Sequence, residues 1–598
     1  MIVPAVAIAA AAFHLFAAGV SPFTALVQRP THLAFMAVLG FMGVGVRVGN
    51  RRGWEKALAV LLAAAALFSC LYIITQHQAL VRRAGLPTTL DIVSGVIGIL
   101  VVLELARRTT GWGLLAICLL ALVYASLGPH LPGFLAHRGY GPTRLVEHLY
   151  LSTEGIWGVP LGVSADFVYL FVLFGAVLDV AGGGALLISL ADRVAGRTRG
   201  GPAKTAALAS AFMGSLSGSA VANVVTTGTF TIPLMRRAGF KPYFAGAIEA
   251  AASTGGQLMP PIMGAGAFIL ATWTNIPYTE VAAAAAIPAF LYYVALLMAI
   301  HFRAARMGLA GAPSGEREEI LPRAHLLVPI LIIVVILGMG RSPMRAAFWG
   351  VMSGFIVTFL RAETRLGVEQ ALGAVRSAAR GAVQVAAACA AAGIVVGVAS
   401  LTGIGLRMSE LIITLSGGHL FAALLLTAVG SIILGMGLPT TAAYVVLAAL
   451  GAPALTELGV PLLSAHLFIF YFGAISTVTP PVSLAAFAAA GIADAPALQT
   501  ALSAMVLAAA GFVVPFMFVY GPPLLLMGSP IEIALAVLTG SAGVTALAAA
   551  TMGFARKPLG LLERAALTGS AVALIFPGLA TDAVGVVVLL MIFSQRSD

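Results

Sequence analysis

The sequence predicts an all-α polytopic membrane protein, an inverted repeat with two re-entrant helical hairpins and two interrupted transmembrane helices. Three observations predict it. The 598 residues are 60% hydrophobic and 9% charged, with a mean hydropathy of +1.03, whereas a soluble domain carries roughly 25% charged residues. Apolar runs near the roughly 20 residues that cross a bilayer recur along the whole chain. Two blocks of small polar residues, each followed by a Pro-Pro pair, occupy corresponding positions in two halves of the chain.

Taken in order, spans are expected near 1–19, 33–48, 57–75, 92–106 and 112–128. The first, "MIVPAVAIAAAAFHLFAAGV", is apolar but has no basic n-region, so it reads as a retained span rather than a cleaved signal peptide. A wetter stretch, "GPHLPGFLAHRGYGPTRLVEHLYLSTEGIWG", marks a boundary around 129–150. Then come a span near 165–183, a hairpin near 205–232 and an interrupted span near 243–273. Spans near 280–302, 325–340, 345–360 and 382–404 follow, with a polar linker at 303–325 between them. A second hairpin near 419–455, an interrupted span near 463–491 and a span near 498–519 close the second half. Beyond "YGPPLLLMGSP", two or three spans fill 530–594. The expected units are therefore 1–150, a core of 151–520 with repeats at about 165–302 and 325–519, and 521–598.

The net charge of +11 does not point to nucleic acid. The basic residues sit in short gaps between apolar runs, as the positive-inside rule expects. With the N-terminus inside, the cytoplasmic side receives Arg47, Arg51, Arg52 and Lys56, then Arg107 and Arg108, Arg193 to Lys204, Arg303 and Arg306, and Arg361 and Arg365. Arg82, Arg83, Arg138, Arg144, Arg341 and Arg345 run against the bias. The assignment holds only if two segments enter and leave on the same side, which is what the hairpins do. Cys70, Cys118 and Cys389 lie within apolar segments and form no CxxC, so they read as small buried hydrophobes.

The repeat carries the functional reading. "SAVANVV" (219–225) is followed by "STGGQLMPPIMGAGAF" (253–268), and "TTAAYVV" (440–446) by "STVTPPVSLAAFAAAG" (476–491). Pro260–Pro261 and Pro480–Pro481 match at an offset of 220, and the hairpin tips at 221. Arg236, Arg237 and Lys241 follow the first tip, whereas Glu457 and no basic residue follow the second. The two repeats are therefore opposed in the membrane, and interrupted segments at matching positions of inverted halves point to a secondary-transporter site.

Broken helices expose N–H and C=O groups that lipid cannot satisfy, so the breaks must face protein or a cavity. Their N-terminal ends favour anionic groups, and their carbonyls and side-chain oxygens can hold a dehydrated Na⁺. At the first tip Gly218 permits an unusual backbone, while Ser217, Ser219 and Asn223 supply oxygens. Gly435, Gly437, Pro439, Thr440 and Thr441 correspond at the second. Ser253, Thr254, Gly255 and Gly256, and then Ser476, Thr477 and Thr479, line the facing spans. The competing use of such residues is close helix packing. Glu249, one turn before the first break, is either a proton-coupling or ion-site residue or an internally hydrogen-bonded carboxyl near the cytoplasmic interface. Asp166 and Asp179 are expected at the interface, and His466 in a structural role. An enzyme is disfavoured: "GSLSGS" has Leu216 where a GxSxG elbow needs Ser, and HExxH, Walker A and CxxC motifs are absent.

"GSLSGSAVANVVTTGTFTIPLMRRAGFKPYFAGAIEAAASTGGQLMPPIMGAGAFILA" resembles the large-permease signature of tripartite ATP-independent periplasmic (TRAP) transporters, and "GMGLPTTAAYVVLAALGAPAL" with "TPPVSLAAFAAAGIA" its second-half counterpart. "AIEAAASTGGQLMPP" and "FHLFAAG" resemble the TAXI subgroup, in which small and large membrane subunits are fused. The resemblance implies an elevator-type permease in a bacterial inner membrane, with residues 1 to about 150 as a fixed scaffold. It implies import of organic acids, often dicarboxylates, delivered by a periplasmic TAXI-type binding protein and driven by Na⁺, with H⁺ as the alternative that Glu249 leaves open. The family's ion sites map onto Ser219, Asn223, Thr254, Gly437, Thr440 and Thr479, and Thr477 is a further Na⁺ candidate. Ser217, Gly218, Ser219, Gly256, Pro439, Thr441 and Thr479 are the substrate candidates. The transported ion stands in place of any cofactor, and a monomer is expected. No Arg lies inside an expected transport segment, so carboxylate recognition falls to helix ends and hydroxyls or to residues outside the motifs named above. A transporter of the same type that works without a binding protein is the nearest rival reading.

Overall fold

The computed structural model describes residues 2–45, 53–309, 320–574 and 578–594. Arg47, Arg51 and Arg52, and residues 310–319 of the expected linker, lie outside them. Among the described residues the chain is helical with no strand, and eleven helices are long and apolar enough to cross a membrane.

Five helices lead: Ile2–Gly19, Ala25–Phe41, Gly53–Arg82, Thr89–Thr110 and Trp112–Leu127. The second starts well before the expected 33 and stops at Phe41, because Gly43 and Gly45 take positive φ. The wet stretch is not all loop. Its Pro142 opens a short helix to Tyr150, the first-turn position where proline's missing N–H costs nothing.

The two halves then match element by element. Val159–Val180 corresponds to the second half of Val368–Thr402. The hairpin arms Gly201–Ser217 and Ala220–Arg237 correspond to Leu420–Gly435 and Thr440–Glu457. The interrupted helices are Pro242–Gly256 with Ala265–Thr274, and Leu462–Ile475 with Leu484–Ala493. Both Pro-Pro bonds are cis. Tyr278–Arg306 corresponds to Ala497–Leu507 plus Ala510–Tyr520.

Two helices, Gly183–Ala195 and Ile404–Ser416, are absent from the sequence reading. Each has 13 residues, too short to span, and each precedes a hairpin and packs against it. Gly182 (φ 91°) and Gly403 (φ 71°) turn the chain into them. The expected span 382–404 is likewise only the end of a 35-residue helix. At 1.5 Å per residue such a helix is roughly 52 Å long, longer than the roughly 30 Å hydrocarbon core. Its basic beginning, with Arg376 and Arg380, therefore lies in helix although it reads as loop.

That long helix is the hub. It packs against Ala25–Phe41, Thr89–Thr110, Trp112–Leu127, the helix through Tyr169–Val180 and the hairpin arm Thr440–Glu457. Its buried stretch Ala386–Gly393 is almost all alanine, and small residues let several backbones approach one axis. A Cβ on Gly393 would sit 2.5 Å from the Gly155 carbonyl oxygen.

Polar contacts tie the leading helices to the core. His14 Nε2 lies 2.8 Å from His32 Nδ1, and His32 Nε2 lies 3.0 Å from Ser164 Oγ. Gln28 Nε2 donates to Asp166 Oδ1 at 2.7 Å, and Arg29 donates to the Trp157 carbonyl at 2.5 Å. Asp166 is thus not interfacial as expected. It lies inside the helix, in the π turn Ser164–Val168, where a partner from Ala25–Phe41 meets it. The three cysteines are buried at 2%, 0% and 1% exposure. At the other end the tail has three helices, Pro530–Met552, Leu561–Ala573 and Leu579–Ser594. The first runs along Tyr278–Arg306, and Arg306 and Arg564 donate to its last carbonyls, on Met552 and Ala550.

Gly214 and Gly256 bring the first hairpin onto the first interrupted helix: a Cβ on Gly256 would lie 2.7 Å from the Gly214 Cα. Gly256→Ala is expected to destabilise the purified protein by about 1–3 kcal/mol, read as a lowered melting temperature. Gly491→Ala, which meets nothing within 4 Å, should leave it unchanged.

Candidate functional site

Each hairpin tip reverses on a glycine. Gly218 (φ 66°) follows Ser217, and Ser219 caps the second arm, its Oγ accepting from the Ala222 N–H at 3.4 Å. A Cβ on Gly218 would lie 3.4–3.5 Å from Met263, Gly264 and Ala265, so the first tip lies against the first break. At the second tip Gly437 (φ 76°) leads to Pro439, the N-cap of Thr440–Glu457. Ser476 of the second break donates to the Gly435 carbonyl at 3.2 Å.

Side chains satisfy the backbone that the breaks release. Tyr278 Oη donates to the Pro261 carbonyl at 2.9 Å and also contacts that of Ile262. Tyr292 and Tyr293 reach the carbonyls of Ala251 and Ala252 at 2.8 and 2.6 Å. Thr477 and Thr479 return their hydroxyls to Ala474 and Ile475. Thr254 Oγ1 and Thr477 Oγ1 are 3.2 Å apart, so the two breaks touch across the repeat.

Both tips and both breaks open on one cavity of ≈ 550 Å³. Among the candidates read from sequence, Ser217, Gly218, Ser219, Pro439, Thr440, Thr441 and Thr477 are on its wall. Four helices begin there: Ala220, Ala265 and Thr440 are first residues on the wall, and so is Leu484. Their free N–H ends give the wall a positive bias. Asn223 and Thr254 are buried behind it. Gly256 is occupied by its contact with Gly214, and Gly437 turns toward Val482. Those two and Thr479 are not among the wall residues.

Several polar wall residues escape the sequence reading. Arg380, with Ser377 and Gln384 on the same face of the hub helix, lines the cavity, and no ion pair to it occurs among the described residues. Arg380 lies outside the expected transport segments, on the long helix that starts at Val368 and carries it to the cavity. Asp179, expected at the interface, also lines the wall. Gln257, in the first break, is another. Among the described residues its amide N and O are both buried without a partner, and so are Ser217 Oγ and Asn223 Oδ1. The repeat offset was the available signal, since position 257 corresponds to Thr477.

Glu249 is fully buried. Ser210 and Thr231 donate to its carboxyl at 2.5 and 2.6 Å, Ser253 at 3.2 Å, and Thr227 also bonds to it. His466 is buried against Tyr444, with Oη 2.9 Å from Nδ1, and takes no part in the cavity wall.

The model of the family described as tripartite ATP-independent periplasmic transporter, DctM component, matches residues 97–533. The chain is 26% identical over 338 residues to the isethionate TRAP transporter permease protein DctMQ of Oleidesulfovibrio alaskensis, covering 54% of this chain and 52% of that protein. It is 32% identical over 202 residues to the C4-dicarboxylate TRAP transporter large permease protein DctM of Pseudomonas aeruginosa, covering 33% and 47%. It is 30% identical over 185 residues to the sialic acid TRAP transporter large permease protein SiaM of Vibrio cholerae, covering 30% and 43%. The matches thus span about half the length of these relatives.

Because the native cysteines are buried, a single reporter can be read. Ser377→Cys, on the cavity wall, is expected to react with a water-soluble maleimide at least about tenfold faster than the native thiols, scored by mass shift. Equal rates would mean that the cavity is closed to water.

Proposed function

This chain belongs to the TRAP transporter family through its DctM component, and from that premise we propose that it is the permease of a secondary active importer of small organic acids, driven by a cation gradient. The carrying observation is the convergence of four helix N-termini and one unpaired arginine, Arg380, on a single cavity. Helix ends and a guanidinium are complementary to a carboxylate. On and just behind the same wall, Ser217 Oγ, Gln257 Oε1 and Asn223 Oδ1 are oxygens without donors among the described residues, the hard ligands that suit Na⁺. A cation held there would strengthen anion binding nearby, and by linkage the anion would strengthen cation binding by the same factor. That reciprocity is what symport needs.

In this reading the hairpins and interrupted helices move as an elevator against the leading helices and the hub helix. A periplasmic binding protein of the TAXI type delivers the cargo, and the permease works as a monomer in a bacterial inner membrane. The names of the relatives, which mention isethionate, C4-dicarboxylate and sialic acid, support an organic acid as cargo. By the positive-inside rule, Arg380 and Asp179 belong to the cytoplasmic ends of their helices, so the open cavity corresponds to the state that releases cargo inside. H⁺ is the alternative driving ion, and Glu249 would carry it.

The test is uptake into proteoliposomes with the cognate binding protein, imposing Na⁺ and H⁺ gradients separately. Na⁺-driven uptake is expected. Asn223→Leu and Thr440→Leu should abolish it in folded protein, and Arg380→Ala should weaken apparent substrate affinity about tenfold or more. Uptake that ignores Na⁺ but follows the pH gradient would transfer the driving role to H⁺. Undiminished Na⁺ dependence in both leucine variants would remove the hairpin tips from the mechanism.

A further inference from the structure

We infer that Glu249 is a positioning residue that fixes the polarity of the cation pocket, acting through Ser253 and Asn223; the inference rests on the cation reading above. The chain of contacts is explicit. Ser253 Oγ donates to Glu249 Oε1 at 3.2 Å. A serine hydroxyl has one proton, so toward any other neighbour that oxygen acts as acceptor. The neighbour is Asn223, whose Nδ2 donates to Ser253 Oγ at 3.0 Å. The other proton of the same amide goes to the Ser210 carbonyl at 2.9 Å. Both N–H groups are thereby turned one way. Asn223 Oδ1 is left on the opposite side with no protein donor.

The reversed amide is disfavoured twice. It would set Oδ1 against the Ser210 carbonyl oxygen, acceptor against acceptor. It would also aim two N–H groups where Oδ1 now stands, which repels a cation. Glu249 thus reinforces, through Ser253, the amide orientation that attracts Na⁺ over the one that rejects it. The carboxyl holds one anchor, Ser253 Oγ, directly; the other is the backbone carbonyl of Ser210, whose side chain also donates to Oε1 at 2.5 Å. Thr227 and Thr231, on the hairpin arm that carries Asn223, bond to the same carboxyl. The first arm, the second arm and the interrupted helix therefore meet on one side chain.

The second repeat has no equivalent. At the 220-residue offset Glu249 corresponds to Ile469 and Ser253 to Gly473. The arrangement therefore belongs to one repeat only, unlike the shared backbone of the breaks.

The experiment uses the reconstituted full chain with its binding protein, titrating Na⁺ at fixed substrate and then substrate at saturating Na⁺. Glu249→Gln and Ser253→Ala are each expected to raise the half-saturating Na⁺ concentration at least about tenfold, with substrate half-saturation within about twofold of wild type. Because both act on the same amide, the double variant should be no worse than the worse single. Ser253→Thr, which keeps the hydroxyl, should restore near-normal Na⁺ dependence. Should Glu249→Gln fail to fold, the Ser253 pair alone decides. An unchanged Na⁺ midpoint in Ser253→Ala, or effects that multiply in the double variant, would overturn the role assigned to Glu249. A wild type indifferent to Na⁺ would instead overturn the cation reading beneath it, and that is measured first.

Discussion

The organising constraint is that hydrocarbon offers nothing to an unpaired peptide group. A helix interrupted within the membrane exposes several such groups at each break, and the chain interrupts four segments in one region. The interruptions hold because they face one another. Hydroxyls of Tyr278, Tyr292 and Tyr293 take carbonyls around the first break, and Ser476 takes one from the second hairpin. What protein does not satisfy opens on the shared cavity. Placing all the defects together is what makes the surrounding fold possible, and it also leaves a cavity with polar groups on its wall inside an apolar protein.

Glycine and alanine make that gathering possible. Gly214 and Gly256 let the first hairpin and the first interrupted helix touch backbone to backbone, and Gly266 lies where a Cβ would be 2.7 Å from the Phe470 ring. The hub helix does the same for the wall opposite, with an alanine surface that five other helices share. The repeats are alike in backbone and unlike in chemistry. Under the first hairpin lies a nest of hydroxyls around Glu249; under the second, Tyr444 meets His466 within an aromatic cluster. Backbone symmetry here sets the geometry, and side-chain asymmetry is free to give each tip its own ligand.

Much of this was readable in the residues themselves. The hairpins, the breaks and their repetition show because Gly, Pro, Ser and Thr recur at offsets of 220 and 221 in an otherwise apolar chain. The two 13-residue helices were hidden, since they are too short for a span and their polar faces resemble loop. Arg380 was hidden by the rule that located the cytoplasm: a basic cluster marks a membrane edge, yet a helix longer than the bilayer carries such a cluster onto a cavity wall. Gln257 and the orientation of Asn223 depend on partners tens of residues away, which periodicity does not report. Asp166 was misjudged for the same reason, its partner Gln28 being 138 positions off.

The contacts between the leading helices and the core have a kinetic side. His14–His32–Ser164, Gln28–Asp166 and Arg29–Trp157 join segments that one polypeptide carries. Docking those helices is therefore an intramolecular step with an effective concentration fixed by the connecting chain, on the order of millimolar for a short link. Stoichiometry is fixed at one to one, independent of expression level. The interface can then be modest and polar, because tethering replaces the affinity that two separate membrane proteins would need to find each other in the plane of the bilayer.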